Sequence, residues 1–417
     1  MNLSPFLLLF GSLWLAPLSS IAQTMLDPSI VLQSAIQDPQ VTAQQNHLQF
    51  AKNKAPRLAL IDGAHLRTES NRFELIRQEY LARLSWNGFF EQKRYRQLQS
   101  TALQTTQTQL EDQVAEALLD RYLLLLHYRS NQQLQGLQAQ LFQVLQDKKT
   151  VSQVLNANSN QADPEDLYKL QFDLDKLELE RMDSEEWQAQ LLSQAAEWLR
   201  LPEPVQLDTS GWISPTSLLP YLQKLVNFTH EYPELLQQQA KIIELDAERR
   251  LEIAKSRQII DFIQFRYGNR PGDPFRYAAA VSLGINLPFN SSRNARAQEL
   301  RIEQSEAATE LELLQLQLQE EKKQLLRELQ RLQKQYQLLQ YQLQESETAF
   351  APEKLALLEK NSLLTLLHYR ELQLQRQMIL AETEQKMLET YLEFLYLNGT
   401  ISGFFRQNFL KSGWPAY

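Results

Sequence analysis

The chain is 417 residues long, carries a formal net charge of −8 and contains no cysteine. That length allows two ordinary domains or one extended assembly. The lack of thiols excludes disulfides, thiolate catalysis and thiolate metal sites. A mild negative charge spread along the chain, with no basic patch, excludes a nucleic-acid partner.

Only 11 glycines and 16 prolines punctuate the sequence, so turns are scarce and the elements must be long. The N-terminus, "FLLLFGSLWLAPLSSIAQT", has an apolar core of signal-peptide length followed by small residues. Ser20-Ile21-Ala22 stands as an A-x-A-like cleavage site, so residues 1–22 are expected to be an export signal. Beyond it, hydrophobic residues are interrupted by Gln, Glu, Lys and Arg, and no internal stretch resembles a membrane-spanning helix. With no cysteine there is no lipid-modified N-terminal cysteine either, so membrane attachment has to come from the fold.

A first helix is expected over about Pro28 to Asn53, broken at Pro56. Two strand-like runs follow, Leu58 to Arg67 and Ile76 to Trp86. In the second, Tyr80, Ala82, Leu84 and Trp86 share a face opposite Glu79, Arg83 and Ser85. From Phe90 to about Leu155 the pattern is helical. "NANSNQADPED" then makes a turn and a restart: Asp163 suits an N-cap, Pro164 the first helical position and Asp166 the acid of a capping box. The next helix runs to Leu201-Pro202, and "PEPVQLDTSGWISPTSLLP" links it to the second half of the chain.

That half repeats the programme. A helix from about Pro233 leads to "QIIDFIQFRYG", and "NRPGDP" turns the chain into a further strand. There Val281, Leu283, Ile285 and Leu287 alternate with Ser282, Gly284 and Asn286, the period of two of a half-buried strand. A helix over Ser291 to about Thr348 and a last one ending at Asn398-Gly399 complete it. Arg57 and Arg257, Leu84 and Ile285, and Asp163 and Ser362 correspond at an offset near 200 residues. This reads as a tandem duplication, with a first repeat and linker over 23–215 and a second over 216–417.

The long helices carry a coiled-coil seam: Leu311, Leu314, Leu318, Leu325, Leu329, Leu332, Tyr336, Leu339 and Leu343 recur at spacings of three, four or seven. A run of 60 to 65 residues extends roughly 90–100 Å at 1.5 Å per residue, far longer than a globular domain uses. Each half offers two strands of bilayer-crossing length with one apolar face. Four strands cannot close on themselves, and open edges are not tolerated in lipid. Two copies give eight strands, whose interior side chains fill; three give twelve, which leave a pore. The expected fold is therefore mainly α with a small transmembrane β part, a long helical coiled-coil barrel continuing a twelve-stranded trimeric β-barrel. Tyr80, Leu84, Trp86, Val281, Leu283, Ile285 and Leu287 are the expected lipid-facing residues.

The stretches "VSLGINLPFNSSRNARAQELRIEQSEAATELE" and "KNSLLTLLHYRELQLQRQMILAETEQKMLETYLEFL" resemble the strand-to-helix junction and the helix restart of the TolC-type outer-membrane efflux protein family. The resemblance covers essentially all of the mature chain, and it rests on the order and spacing of the motifs. It implies a homotrimer in outer-membrane lipid, continued by a periplasmic helical tunnel. It also implies docking at the tip onto a periplasmic adaptor protein bound to an inner-membrane transporter, as in a tripartite efflux pump or type I secretion system. On this reading the chain is no enzyme and needs no cofactor, and transport through it is passive. The family's "G-x-x-[ST]-x-x-D" restart aligns with Asn361, Ser362, Thr365 and His368, so acids are missing where they are common, whereas the first repeat keeps Asp163 and Asp166. Two readings of these tip residues stand: helix caps, or a constriction and adaptor contact in which His368 responds to pH.

Other chemistry is thin. His47, His65, His127, His230 and His368 are scattered without metal-ligand spacing, and pairs such as Glu185-Glu186 and Glu320-Glu321 read as solvated helix faces. No phosphate loop or nucleophile elbow occurs. The alternatives are a periplasmic adaptor, which normally nests one hairpin in β-rich domains, and a structural envelope coiled-coil protein, which leaves the membrane-length strands unexplained.

Overall fold

The structure, a computed structural model, describes residues 24–53, 61–70, 78–87, 89–159, 164–202, 205–218, 220–221, 232–257, 260–268, 279–285, 291–349, 362–403 and 407–411. The expected export signal and Leu287, Asp163 and Asn361 lie outside these residues.

In chain order the elements are β1 (Thr24–Leu26), α1 (Pro28–Gln33), a 3₁₀ turn (Ser34–Gln37), α2 (Pro39–Asn53), β2 (Ile61–Ser70), β3 (Gln78–Trp86), α3 (Phe89–Ser159), α4 (Pro164–Leu199) and β4 (Val205–Leu207). After a second 3₁₀ turn (Pro215–Ser217) come α5 (Pro233–Ser256), β5 (Ile260–Gly268), β6 (Ala279–Ile285), α6 (Ser291–Ala349), α7 (Ser362–Leu397) and the short α8 (Thr400–Gly403). Local chemistry sets most boundaries. The Asp27 side chain caps α1 by accepting from the Ser29 N–H at 2.9 Å, and Pro233 opens α5, where its missing N–H costs nothing. Gly399, at φ 69°, ends α7 in the left-handed conformation that residues with a Cβ resist.

Three expected boundaries shift. The first helix is not continuous: Pro39 has no N–H to donate back, so the chain tightens into the 3₁₀ turn and restarts with Asp38 accepting from the Gln40 N–H at 3.0 Å. Strand β2 runs on to Ser70, because Thr68, Glu69 and Ser70 continue the ladder against Tyr80, Glu79 and Gln78. Strand β6 starts at Ala279, where it pairs with Tyr267.

Strands β2, β3, β5 and β6 form one antiparallel sheet in that order. The helices next to it follow the same order, with α3 between α2 and α5 and α5 between α3 and α6. Towards the other end the order is α4, α3, α7, α6. Among the described helices each layer therefore ends at α2 or α4 on one side and at α6 on the other. Helix α3, with 71 residues, runs through both layers, and at 1.5 Å per residue it spans about 105 Å.

The main core lies at the waist between the layers. There β1 pairs in parallel with β4, and Trp212 bridges Lys411, so the start, the linker and the end of the chain are tied together. Val31, Leu32, Leu125, Leu126, Tyr391 and Leu392 are fully buried or nearly so. Trp198, Trp212 and Tyr221 pack against them. Arg121 is buried here too. It donates to Asp38 Oδ2 at 2.8 Å, Ser34 Oγ at 3.2 Å and the Ala117 carbonyl at 2.8 Å, and its guanidinium lies 4.3 Å over the Trp198 ring. A guanidinium paired with a carboxylate and hydrogen-bonded through each of its three nitrogens is tolerated in a core. A second, smaller cluster of Leu141, Leu145, Leu170, Leu174, Leu177 and Leu374 ties the two helical hairpins together towards the tip.

Candidate functional site

Two surfaces hold the residues singled out in the sequence: the sheet and the far end of the hairpins. In the sheet the side chains of each strand alternate between faces, and register decides which strands share a face. Ala64, Leu84, Ile263 and Leu283 align across the four strands, and so do Leu66, Ala82, Phe265 and Val281. Tyr80 lies one step further along the same face, opposite Tyr267. This face is apolar and open among the described residues: Leu66 is 87% exposed, Val281 72% and Leu283 51%, with Tyr80, Leu84 and Ile285 also exposed. Trp86 pairs with Ile61 at the helix-side end of the sheet.

The opposite face carries His65, Arg67, Glu69, Glu79, Arg83, Gln264, Arg266 and Ser282. Its charges are laced together: Arg67 Nε meets Glu69 at 2.7 Å, Arg266 Nε donates to Glu79 Oε2 at 2.9 Å, and Arg83 lies 3.7 Å from Asp261. Both hairpins have a register shift at their helix-side end, between Ile61 and Gly63 and between Ile260 and Phe262, each leaving an aspartate as the extra residue. Such bulges bend a strand and increase its twist. Among the described residues the sheet is thus two-faced, and neither β2 nor β6 has a further partner strand.

At the tip, Asp166 is exposed in the first turn of α4, beside Glu165, where acids favour a helix N-terminus. Ser362 opens α7, and Thr365 and His368 are exposed on its first turns. His368 Nδ1 lies 3.3 Å from Glu371 Oε2, and the same carboxylate oxygen accepts from Lys148 Nζ at 2.8 Å. The Lys148–Glu371 pair joins α3 of one hairpin to α7 of the other. Sequence reasoning missed it, since the partners are 223 residues apart and only the i, i+3 spacing of His368 and Glu371 was readable. Beside it a groove of about 380 Å³ is lined by Leu141, Leu177, Lys176, Glu180, Met378 and Glu382.

In the helical wall, burial raises the carboxyl pKa of Glu384, opposed by Arg129, and that of Glu393, where Glu389 repulsion adds to it. Glu389 itself is lowered by its 2.9 Å contact with His127. Among the described residues no group of three His, Asp or Glu side chains is placed to hold a metal ion, and no helix is long and apolar enough to cross a membrane.

Comparison with known proteins places this geometry. The outer-membrane channel OprN superposes with a TM-score of 0.65 at 13% identity, over 89% of this chain and 90% of that one. The outer-membrane protein VceC from Vibrio cholerae gives 0.62 at 12% identity, over 89% and 96%. CusC, whose structures describe transmembrane channel formation, gives 0.62 at 13% identity, over 90% and 93%. No family model matches the sequence, and no curated protein matches it. At such identities the likeness is one of fold: the chain has the fold of the TolC-type outer-membrane channels, helical wall and strand part together.

Proposed function

We propose that this protein is the outer-membrane channel of an export system, a passive duct through the periplasm and the outer membrane. The observation that carries this reading is the sheet. Among the described residues one face is apolar and exposed, the other carries the charged side chains, neither edge strand has a further partner, and the helices continue the strands in the same order. Lipid is the environment that makes an exposed apolar strand face favourable, and it does so only when the edges are closed. Tyr80, Leu84, Trp86, Val281, Leu283, Ile285 and Leu287 are assigned to the lipid side.

Closure comes from further copies of the chain. Edge β2 lies on the side of α2 and α4, and edge β6 on the side of α6, so the two edges call for a head-to-tail contact that closes by rotation. The unpaired helices carry matching apolar residues: Tyr168, Phe172, Leu179 and Met182 on α4, and Ile302, Leu313, Leu316, Leu338 and Tyr341 on α6 are all exposed. Three copies give twelve strands, the smallest closure here that leaves an open pore. Solubilising the membrane in detergent tests this: the protein should come from the outer-membrane fraction as a trimer. Recovery as a soluble monomer overturns it.

The tip is assigned to contact with a periplasmic adaptor bound to an inner-membrane transporter. Asp166, Ser362, Thr365 and His368 lie there, and Asp163 and Asn361, outside the described residues, are assigned to the same contact. The class of pump, efflux or type I secretion, is a matter for that partner. His368 is assigned a role in opening because it shares Glu371 with Lys148 across the two hairpins. His368→Ala should flatten the change in single-channel conductance between pH 5 and 8, and an unaltered profile rules the role out.

A further inference from the structure

The polar face of the sheet is sorted by charge along its length. Counting from the helix side, the first aligned row is Gly63, Ser85, Phe262 and Gly284, flanked by the bulge residues Asp62 and Asp261. The second is His65, Arg83, Gln264 and Ser282, and the third is Arg67, Leu81, Arg266 and Ala280. The fourth is Glu69, Glu79 and Gly268. Two successive rows, roughly 7 Å apart on one face, hold three arginines and no carboxylate, and the acids lie only beyond them at either end.

The three arginines are not equivalent. Arg67 and Arg266 lie within hydrogen-bonding distance of Glu69 and Glu79. Among the described residues the carboxylate that Arg83 meets is Asp261 Oδ2 at 3.7 Å, too far for a good hydrogen bond. Its guanidinium instead sits 3.7 Å over the ring of Phe262, an attraction that fixes the cation without neutralising it. Phe262 in turn occupies the space over Gly284, where a Cβ would come within 2.3 Å of a ring carbon. Glycine on β6, aromatic ring on β5 and cation on β3 form one stack across three strands.

We propose that this face carries an anion-recruiting belt in the barrel lumen, with Arg83, held on Phe262, as the contact for anionic solutes. The proposal rests on the channel reading and adds a preference that the fold does not dictate. Three copies bring nine arginines to the two rows, of which six are closely paired with Glu69 and Glu79 and three, the Arg83 guanidiniums, are only loosely paired and carry the preference. In a wide aqueous pore their field reaches about one Debye length from the wall, roughly 10 Å at 0.1 M salt. The preference is therefore graded, and it weakens as salt rises.

Reversal potentials of the full-length protein in planar bilayers, under a tenfold KCl gradient, test the idea with chloride as the probe. Arg83→Gln should lower the chloride-to-potassium permeability ratio by about twofold at low salt, and less at 1 M. Arg83→Lys keeps the charge and should keep most of the preference. Gly284→Ala alters no charge but displaces the ring beneath Arg83, and should move the ratio in the direction of Arg83→Gln. Ser282→Ala, in the same row as Arg83, should leave it unchanged. Should Arg83→Gln fail to assemble, Asp261→Asn must raise the ratio instead. Conducting Arg83→Gln or Asp261→Asn channels with an unmoved reversal potential overturn the belt and leave the channel reading intact. A wild-type protein that forms no channel overturns that reading, and the belt with it.

Discussion

The sheet and the waist are built from the same kinds of side chain and treat them in opposite ways. At the waist Leu125, Leu126 and Leu392 are sealed by neighbours from almost every part of the chain. In the sheet Leu66, Val281 and Leu283 align just as regularly and remain uncovered. The waist is complete within one molecule, since β1, β4 and the bridge at Trp212 draw in the chain's beginning, middle and end. On the proposed channel reading, the sheet is a fragment whose solvent and edge partners both lie outside the chain, so apolar burial would drive folding in the first region and assembly in the second.

The sharpest way to break that contrast is to place a charge on each face of one strand. Leu283→Arg puts a guanidinium on the apolar face. Near the bilayer midplane that costs about 2–4 kcal/mol per copy, and a closed ring multiplies it by the number of copies. Trimer in the outer membrane should fall to near nothing, measured as the detergent-extracted assembly. Ser282→Arg, one residue away on the polar face, should assemble normally. Equal losses in the two variants would mean that the faces are not facing different solvents.

Truncation without charge gives the converse, smaller effect. Leu125→Ala opens a cavity in the waist and should cost about 2–5 kcal/mol, seen as a lower melting temperature of the helical part. Leu283→Ala removes the same atoms from an exposed site and should shift melting in detergent far less, since no packed neighbour loses a contact. A Leu283→Ala variant as unstable as Leu125→Ala would mean that the sheet face is already covered within one chain.

How much of this was readable depends on the range of the interactions. Helix limits were legible because they are written locally, at Pro164, Pro233 and Gly399. The α6 seam was legible because heptad spacing is also local: Leu318, Leu329, Leu332, Tyr336 and Leu343 are all buried as that spacing requires. Strand faces followed from alternation at Tyr80 and Leu84 and from Val281 to Ile285. The pairing of β3 with β5 was not legible, because nothing near Ala82 names Phe265 as its partner. The clamp of Arg121 on Asp38 and the Lys148–Glu371 bridge escaped for the same reason, since each joins residues brought together only by the finished fold. The break at Pro39 was a local signal that the amphipathic pattern on either side of it masked.

The helical part contains a milder mismatch, a charged group that stays exposed to water but stands at the rim of a largely apolar groove. Glu393 lines a cavity of about 550 Å³ with Leu325, Tyr396 and Leu397, and Glu321 and Glu328 stand at the same cavity. Burial, then repulsion from Glu389, raises its pKa above the ordinary 4.5. A carboxyl raised in the folded state favours folding fully only below its unfolded pKa, and loses that contribution as pH climbs through the folded value. At neutral pH Glu393 is therefore a net cost to the wall. Glu393→Gln keeps the shape and removes the charge, so it should raise the melting temperature at pH 7.5 only slightly, because water screens an exposed carboxylate. At pH 4, where the wild-type carboxyl is itself mostly neutral, the two proteins should melt together. A gain of equal size at both pH values would assign the effect to packing, and a loss at pH 7.5 would show that a cation from a neighbouring copy already neutralises this site.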